Sequence, residues 1–364
     1  MWLVALLVGL LPWYATMAQN HLRVSEIGGF PQSEAGYAMG VSACFAGTIG
    51  NHIIMAGGCN FPDNSGVKHY YKGIYAACWQ ADTLQWRCIG TLPEPVAYGA
   101  TVDMGDSLLL IGGNNQKHSL RQVVSVKLDP RGNAIVMRLP SLPVTVDNGA
   151  AAYAKGHVFV FGGNQNGKPS KALWSLSCSR PTSQWKSRKA MPGKPRVQPV
   201  CVAHGQRLFA WGGFYAKGAK SKVATDGYAY DVKRNRWAQL AAPRDAAGES
   251  LTLSGATGAT NGAGLLLCLG GVNKTIFADA ISGKYQLVDQ ADYLKQPVAW
   301  YRFNATPLVF NAKTLRWLKP TTPDARLARA GALLIGIAAN QFLYIGGELK
   351  PGVRTPQILR IELE

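Results

Sequence analysis

The sequence predicts an all-β fold, a six-bladed β-propeller whose ring is closed by strands from both termini. Three observations carry this reading. An apolar strand ending in Gly-Gly recurs six times, as HIIMAGG at 52–58, SLLLIGG at 107–113, HVFVFGG at 157–163, RLFAWGG at 207–213, LLLCLGG at 265–271 and QFLYIGG at 341–347. A tryptophan opens a later strand in four of these repeats, at Trp86, Trp185, Trp237 and Trp317. Only one strand pattern, at 356–364, follows the last Gly-Gly, while an unclaimed one, HLRVSEIGGF at 21–30, precedes the first repeat.

The second glycines lie at 58, 113, 163, 213, 271 and 347, giving spacings of 55, 50, 50, 58 and 76. A period of about 50 residues is that of kelch-type repeats. Alternation within each strand implies that one face packs between blades. The double glycine permits a tight turn and close approach of adjacent backbones. Pairing the two terminal strands in one blade removes the open sheet edges that would otherwise aggregate. The long fifth spacing reflects an insertion at about 273–300, which reads as a short helix or lid over the opening of the ring.

Ahead of the ring stands MWLVALLVGLLPWYATMAQN. Its apolar run from Trp2 to Trp13 and the small-x-small pattern before Ala18 predict a signal peptide over 1–18, with the propeller over 19–364. A membrane anchor is the alternative, although Pro12 and the short run make a poor span. No later segment reaches membrane length without charges. The chain is therefore expected to be periplasmic or secreted.

A formal charge of +18 would attract an anion. The basic residues form no long run, and export removes nucleic acid from the expected partners. Seven cysteines and six scattered histidines contain no C-x-x-C or zinc spacing, so neither metal nor cofactor is called for. Cys44, Cys201 and Cys268 read as small core residues. Cys78 and Cys88 flank a turn, and a disulfide between them stays open.

Loops after each second strand and before each first strand emerge on one face. One set offers Asn60, Asp63, Asn114, Asn115, Asn164, Tyr215, Asn273, Glu348 and Arg354. The other offers Glu94, Asp147, Arg196, Gln198, Arg244, Asp245, Glu249 and Arg329. Amides, carboxylates and arginines around a basic channel suit a small polar ligand bearing a carboxylate. The plainer reading is that each caps a turn. The sixth repeat stands apart: IGGELKPGVRT packs Glu348, Lys350 and Arg354 into a loop bent at Pro351-Gly352. Such a carboxylate would stay ionised or serve as a general base, or would form a salt-bridged surface turn.

This loop resembles the NGEAKPGLRT-type loop of the bacterial N-acetylneuraminate epimerases, the sialic acid mutarotases. GGVNKTIF at 270–277, YRFNATPLVFN at 301–311 and KPRVQP at 194–199 resemble further segments of that family. The resemblance spans all six blades in rotated order. The blade near 143–177 resembles the family's first, as in a circularly permuted branch. It implies an isomerase acting on N-acetylneuraminate or a related acidic sugar, with Glu348 and Arg354 as the catalytic pair. Arg196, Gln198, Asn273, Arg302 and Asn304 carry over as substrate contacts. Glu249 departs from the pattern, standing where the family suggests a histidine. The competing expectations are a non-catalytic propeller that binds glycans or a protein, and an exported oxidase. The oxidase would need paired tyrosine and histidine ligands on converging loops, and the histidines lie elsewhere.

Overall fold

The computed structural model describes residues 22–63, 66–79, 83–179 and 183–364. The expected signal peptide over 1–18 lies outside them. No helix among the described residues is long and apolar enough to cross a membrane.

The chain is all-β, built as small antiparallel sheets. Among the described residues there are six sheets of four main strands, one of them carrying an extra short strand. The first runs through Phe45–Ile49, His52–Ala56, Gly73–Cys78 and Arg87–Thr91, and the pattern repeats along the chain. The last combines Leu333–Ala338, Gln341–Ile345 and Ile358–Leu363 with the N-terminal strand Leu22–Ile27. Leu22 faces Leu363 and Ile27 faces Ile358 in that antiparallel pair. The first strands of successive sheets touch in order, and that of the last sheet touches that of the first.

The core is divided into six slabs, each shared by two neighbouring sheets. Phe45, Ile54, Leu108 and Val124 fill one, and Phe209, Trp211 and Phe310 another. The second strands show why their sequences are continuously apolar. In His157–Phe161, Val158 and Val160 enter one slab while Phe159 and Phe161 enter the next. Strict half-burial, expected from the alternation, fails for these strands because each sheet is sandwiched on both faces.

The Gly-Gly pairs join one sheet to the next. Gly112 and Gly113 have φ of 62° and 98°, and a Cβ on Gly112 would stand 2.2 Å from the Val146 carbonyl oxygen. That conformation lets the Gly113 N–H donate to the same carbonyl at 2.8 Å. Equivalent bonds run from Gly58 to Val96, Gly163 to Arg196, Gly271 to Arg329 and Gly347 to Val41. Three of the four trailing tryptophans pin the outer edges in the same way. The indoles of Trp185, Trp237 and Trp317 donate to the carbonyls of Pro140, Lys189 and Ala241 in the preceding sheet.

All seven cysteines are free. Cys88 lies opposite Tyr75, whereas Cys78 lies opposite His52, so the two strands do not bring these thiols into register. Cys44 and Cys268 are buried, and Cys201 is half-buried.

Candidate active site

A circuit of six backbone hydrogen bonds lies just ahead of the first strands. Ala43 donates to Gly331, Tyr98 to Ala43, Asn148 to Tyr98, Gln198 to Asn148, Gly255 to Gln198 and Gly331 to Gly255, at 2.7–3.1 Å. All six residues have left-handed φ, between 52° and 69°. Only two are glycine, so the cross-sheet bonds hold four side-chain-bearing residues in a conformation they rarely adopt. Tyr98, Gln198 and Gly331 of this circuit line a cavity of about 490 Å³.

Glu348 reaches that cavity from a tight hairpin in which Glu348–Lys350 pairs with Val353–Arg354 around Gly352 at φ 86°. Its backbone is also bonded on the other side, donating to Ala330 at 2.7 Å and accepting from it at 2.9 Å. The Glu348 backbone is thus held between two segments. Its Oε2 lies 3.1 Å from Arg354 Nη2. The Arg354 side chain is only 4% exposed and that of Glu348 22%. Arg354 Nε donates to Ser42 Oγ at 2.9 Å, and its guanidinium lies 5.0 Å from the centre of the Phe61 ring. Arg354 Nη1 is buried without a hydrogen-bond partner among the described residues, a spare donor beside the cavity.

Burial pushes the Glu348 carboxyl above the usual carboxylate range, while Arg354, Lys68 and the Gly352 N–H pull it back. A carboxylate balanced in this way is suited to accept and return a proton.

The insertion forms the other wall. Helix α1, Lys274–Ile281, is capped by Asn273, whose side chain accepts from the N–H groups of Thr275 and Ile276. One face of α1 carries Ile276, Phe277, Ala280 and Ile281 into the cavity, and Phe277 packs edge-on against Phe214. A second helix, α2, spans Gln290–Tyr293. Lys350 Nζ donates to the carbonyls of Leu294 and Gln296 at 3.1 and 2.7 Å, tying the insertion to the Glu348 hairpin. The cavity is therefore two-sided, with charged and hydroxyl groups facing an apolar, aromatic wall.

The residues singled out in the sequence separate into two groups. Glu348, Gln198 and Asn273 line the cavity. Gln198 Nε2 donates to Asn148 Oδ1 at 2.9 Å, which leaves its Oε1 free to accept from a ligand hydroxyl. Arg354 stands directly behind Glu348. Arg196, Arg302 and Asn304 do not line the cavity. Arg196 is buried and bonds the Gly212 carbonyl at 2.9 Å and Asp226 at 2.8 Å. Arg329 does the equivalent in the last sheet, where its Nη1 bonds the Gly346 carbonyl at 3.0 Å. Each arginine precedes a circuit residue by two positions and braces the first glycine of a Gly-Gly pair. Asn304 accepts from the Thr306 N–H and donates to the Gly270 carbonyl, and Arg302 is exposed with φ of 46°. Of the other loop residues, Asp147 is held by Ser119, Asn148 and Asn164, and Asn60 bonds the Gly36 and Gly40 carbonyls.

Sequence reasoning missed Ser42, Lys68 and Tyr98. Ser42 and Tyr98 line the cavity, and the Lys68 ammonium donates to the Tyr98 hydroxyl at 3.1 Å. The one available signal was position: Ser42 and Tyr98 sit in the segment before a first strand, as Gln198 does.

Three relatives share this chain's sequence over part of their length. The N-acetylneuraminate epimerase of Yersinia enterocolitica is 30% identical over 234 residues, which is 61% of this chain and 56% of the relative. That of Salmonella paratyphi B is 29% identical over 251 residues, 65% of this chain and 61% of the relative. That of Haemophilus influenzae is 30% identical over 232 residues, 60% of this chain and 57% of the relative. Each match thus spans less than two thirds of the relative's own length. The N-acetylneuraminate epimerase family as a whole matches residues 12–136 and 139–364, which include the Glu348 hairpin and all but two residues of the six main sheets, and the chain belongs to that family.

Proposed function

We propose that this chain is a mutarotase that speeds interconversion of the α and β anomers of N-acetylneuraminate or a related acidic sugar. The observation that carries the proposal is the Glu348–Arg354 pair, held at 3.1 Å at the edge of a cavity large enough for a single sugar. Ring opening requires loss of the anomeric proton, and Glu348 is the carboxylate in the cavity able to take it. The same group returns the proton after the exposed keto carbon has rotated. Arg354 offers its spare Nη1 as a single charged donor to the carboxylate beside the anomeric carbon. The family name shared with the relatives supports the sugar.

The six sheets are, on this reading, blades of a kelch-type ring closed by both termini. The circuit of hydrogen bonds, the cyclic order of first-strand contacts and the Leu22–Leu363 pairing support it. A permuted blade order rests on the resemblance of 143–177 to the family's first blade. The N-terminal apolar run supports export to the periplasm or beyond.

The test is proton NMR of freshly released α-N-acetylneuraminate, followed to its anomeric equilibrium. Catalytic protein shortens the approach, and Glu348→Gln returns it to the spontaneous rate. An unchanged approach with the wild-type chain would overturn the assignment.

A further inference from the structure

Opening a hemiketal ring moves two protons, one off the anomeric hydroxyl and one onto the ring oxygen. Glu348 accounts for the first. For the second we propose that Tyr98 is the proton donor to the ring oxygen, with Lys68 as the residue that positions and stabilises it; this rests on the mutarotase reading above.

Tyr98 lines the same cavity as Glu348 and lies two places from Gly331 along the hydrogen-bond circuit. Its backbone is fixed by that circuit, donating to Ala43 at 2.9 Å and accepting from Asn148 at 2.7 Å. The phenol therefore projects from a rigid floor rather than from the insertion. Lys68 Nζ donates to its hydroxyl at 3.1 Å. That ammonium is itself held near the rings of Tyr98, Phe61 and Tyr70, at 4.8, 5.8 and 6.0 Å from their centres. The hydroxyl also meets the Cys59 thiol, a weak acceptor, and the charges of Glu348 and Arg354 act on it.

The remaining tyrosines of the cavity lack this arrangement. The Tyr301 hydroxyl is committed to the Tyr293 carbonyl, and neither Tyr293 nor Tyr285 shows a hydrogen bond from a cation among the described residues. The Tyr98 phenol is protonated at rest, and burial, which pushes it above the ordinary tyrosine range, opposes loss of that proton, so the charge of Lys68 at 3.1 Å is what makes the transfer feasible. Lys68 favours the phenolate that appears once the proton has left.

The step balances without a co-reactant. The bond between the anomeric carbon and the ring oxygen breaks, and its electron pair goes to the ring oxygen. That oxygen takes the Tyr98 proton. The anomeric O–H pair becomes the second bond of the ketone, and its proton goes to Glu348. After rotation the ring hydroxyl attacks the other face of the ketone, returning its proton to Tyr98 as Glu348 protonates the new anomeric oxygen. Both residues end as they began.

The experiment compares wild-type, Tyr98→Phe, Lys68→Met and Lys68→Arg chains in the NMR assay, with calorimetric binding of the methyl α-glycoside of N-acetylneuraminate. That glycoside has no anomeric proton and cannot open. Tyr98→Phe keeps the backbone circuit and is expected to lower kcat by about 100-fold while binding the glycoside as the wild type does. Lys68→Met lowers kcat by about tenfold and Lys68→Arg restores part of the loss. Wild-type kcat in Tyr98→Phe, or loss of rate and glycoside binding together, overturns the inference. An inactive wild-type chain instead overturns the mutarotase reading itself.

Discussion

Arg354 and Glu348 are backbone partners across one hairpin and ion-pair partners at its open end, with Nη2 and Oε2 3.1 Å apart. The geometry of the pair is therefore set by two registers at once. The turn at Pro351-Gly352 brings the strands together, and the Ala330 bridge stops the hairpin from swinging.

The acid limb of the pH–rate profile should lie above the ordinary glutamate range. A base must be ionised, so the rate falls as pH drops through the raised Glu348 value, which burial sets against the pull of Arg354 and Lys68. The folded state also holds this proton more tightly than the unfolded chain does. Glu348 accordingly contributes stability at low pH that is lost as pH rises through its raised value. The anomerisation rate and the thermal midpoint, both scanned over pH, check the two signs.

Arg354→Met removes the spare Nη1 donor, the Ser42 bond and the charge that favours ionised Glu348. The acid limb should move to higher pH. Stability should fall by about 3 kcal/mol, the low end for breaking a buried pair, because Glu348 keeps some contact with solvent. Urea unfolding gives the second quantity and the rate profile the first.

Arg329→Met should destabilise the chain more than Arg196→Met. Arg329 is 1% exposed and donates to the carbonyls of Arg326, Gly346 and Gln357. Arg196 bonds one carbonyl and a partly exposed Asp226 that water can solvate. Losing Arg329 should cost about 3 kcal/mol through stranded acceptors, read as a shift in the denaturant midpoint.

Lys350→Met cuts the tether between the Glu348 hairpin and the insertion. The Leu294 and Gln296 carbonyls lose a charged donor, so local opening of the 290–300 segment becomes easier by about 1.5 kcal/mol. Faster amide exchange confined to that segment is the expected outcome, with KM rising as the apolar wall loosens.

Strand positions and their grouping were legible in the sequence because their causes are local. An apolar run ending in Gly-Gly is needed wherever a second strand is covered on both faces and its end must donate to the next sheet. The Glu348–Arg354 pair was legible for the same reason, since both residues lie within one turn of chain. The capping role of Asn273 also follows from its neighbours at 275 and 276.

Roles that depend on distant partners were not legible. Arg196 resembles a ligand contact by motif, yet its guanidinium is occupied by Gly212 and Asp226, 16 and 30 residues away. Lys68 carries no local signal and Tyr98 only its place before a first strand, because nothing in their spacing brings them to Glu348, some 250 residues or more along the chain. The sequence by itself determined the repeat, the strands and the one loop that carries a carboxylate and an arginine together. Only the tertiary structure decided what faces that carboxylate, because the first strands of successive sheets touch one another, and side chains that meet beside them are separated by whole repeats along the chain.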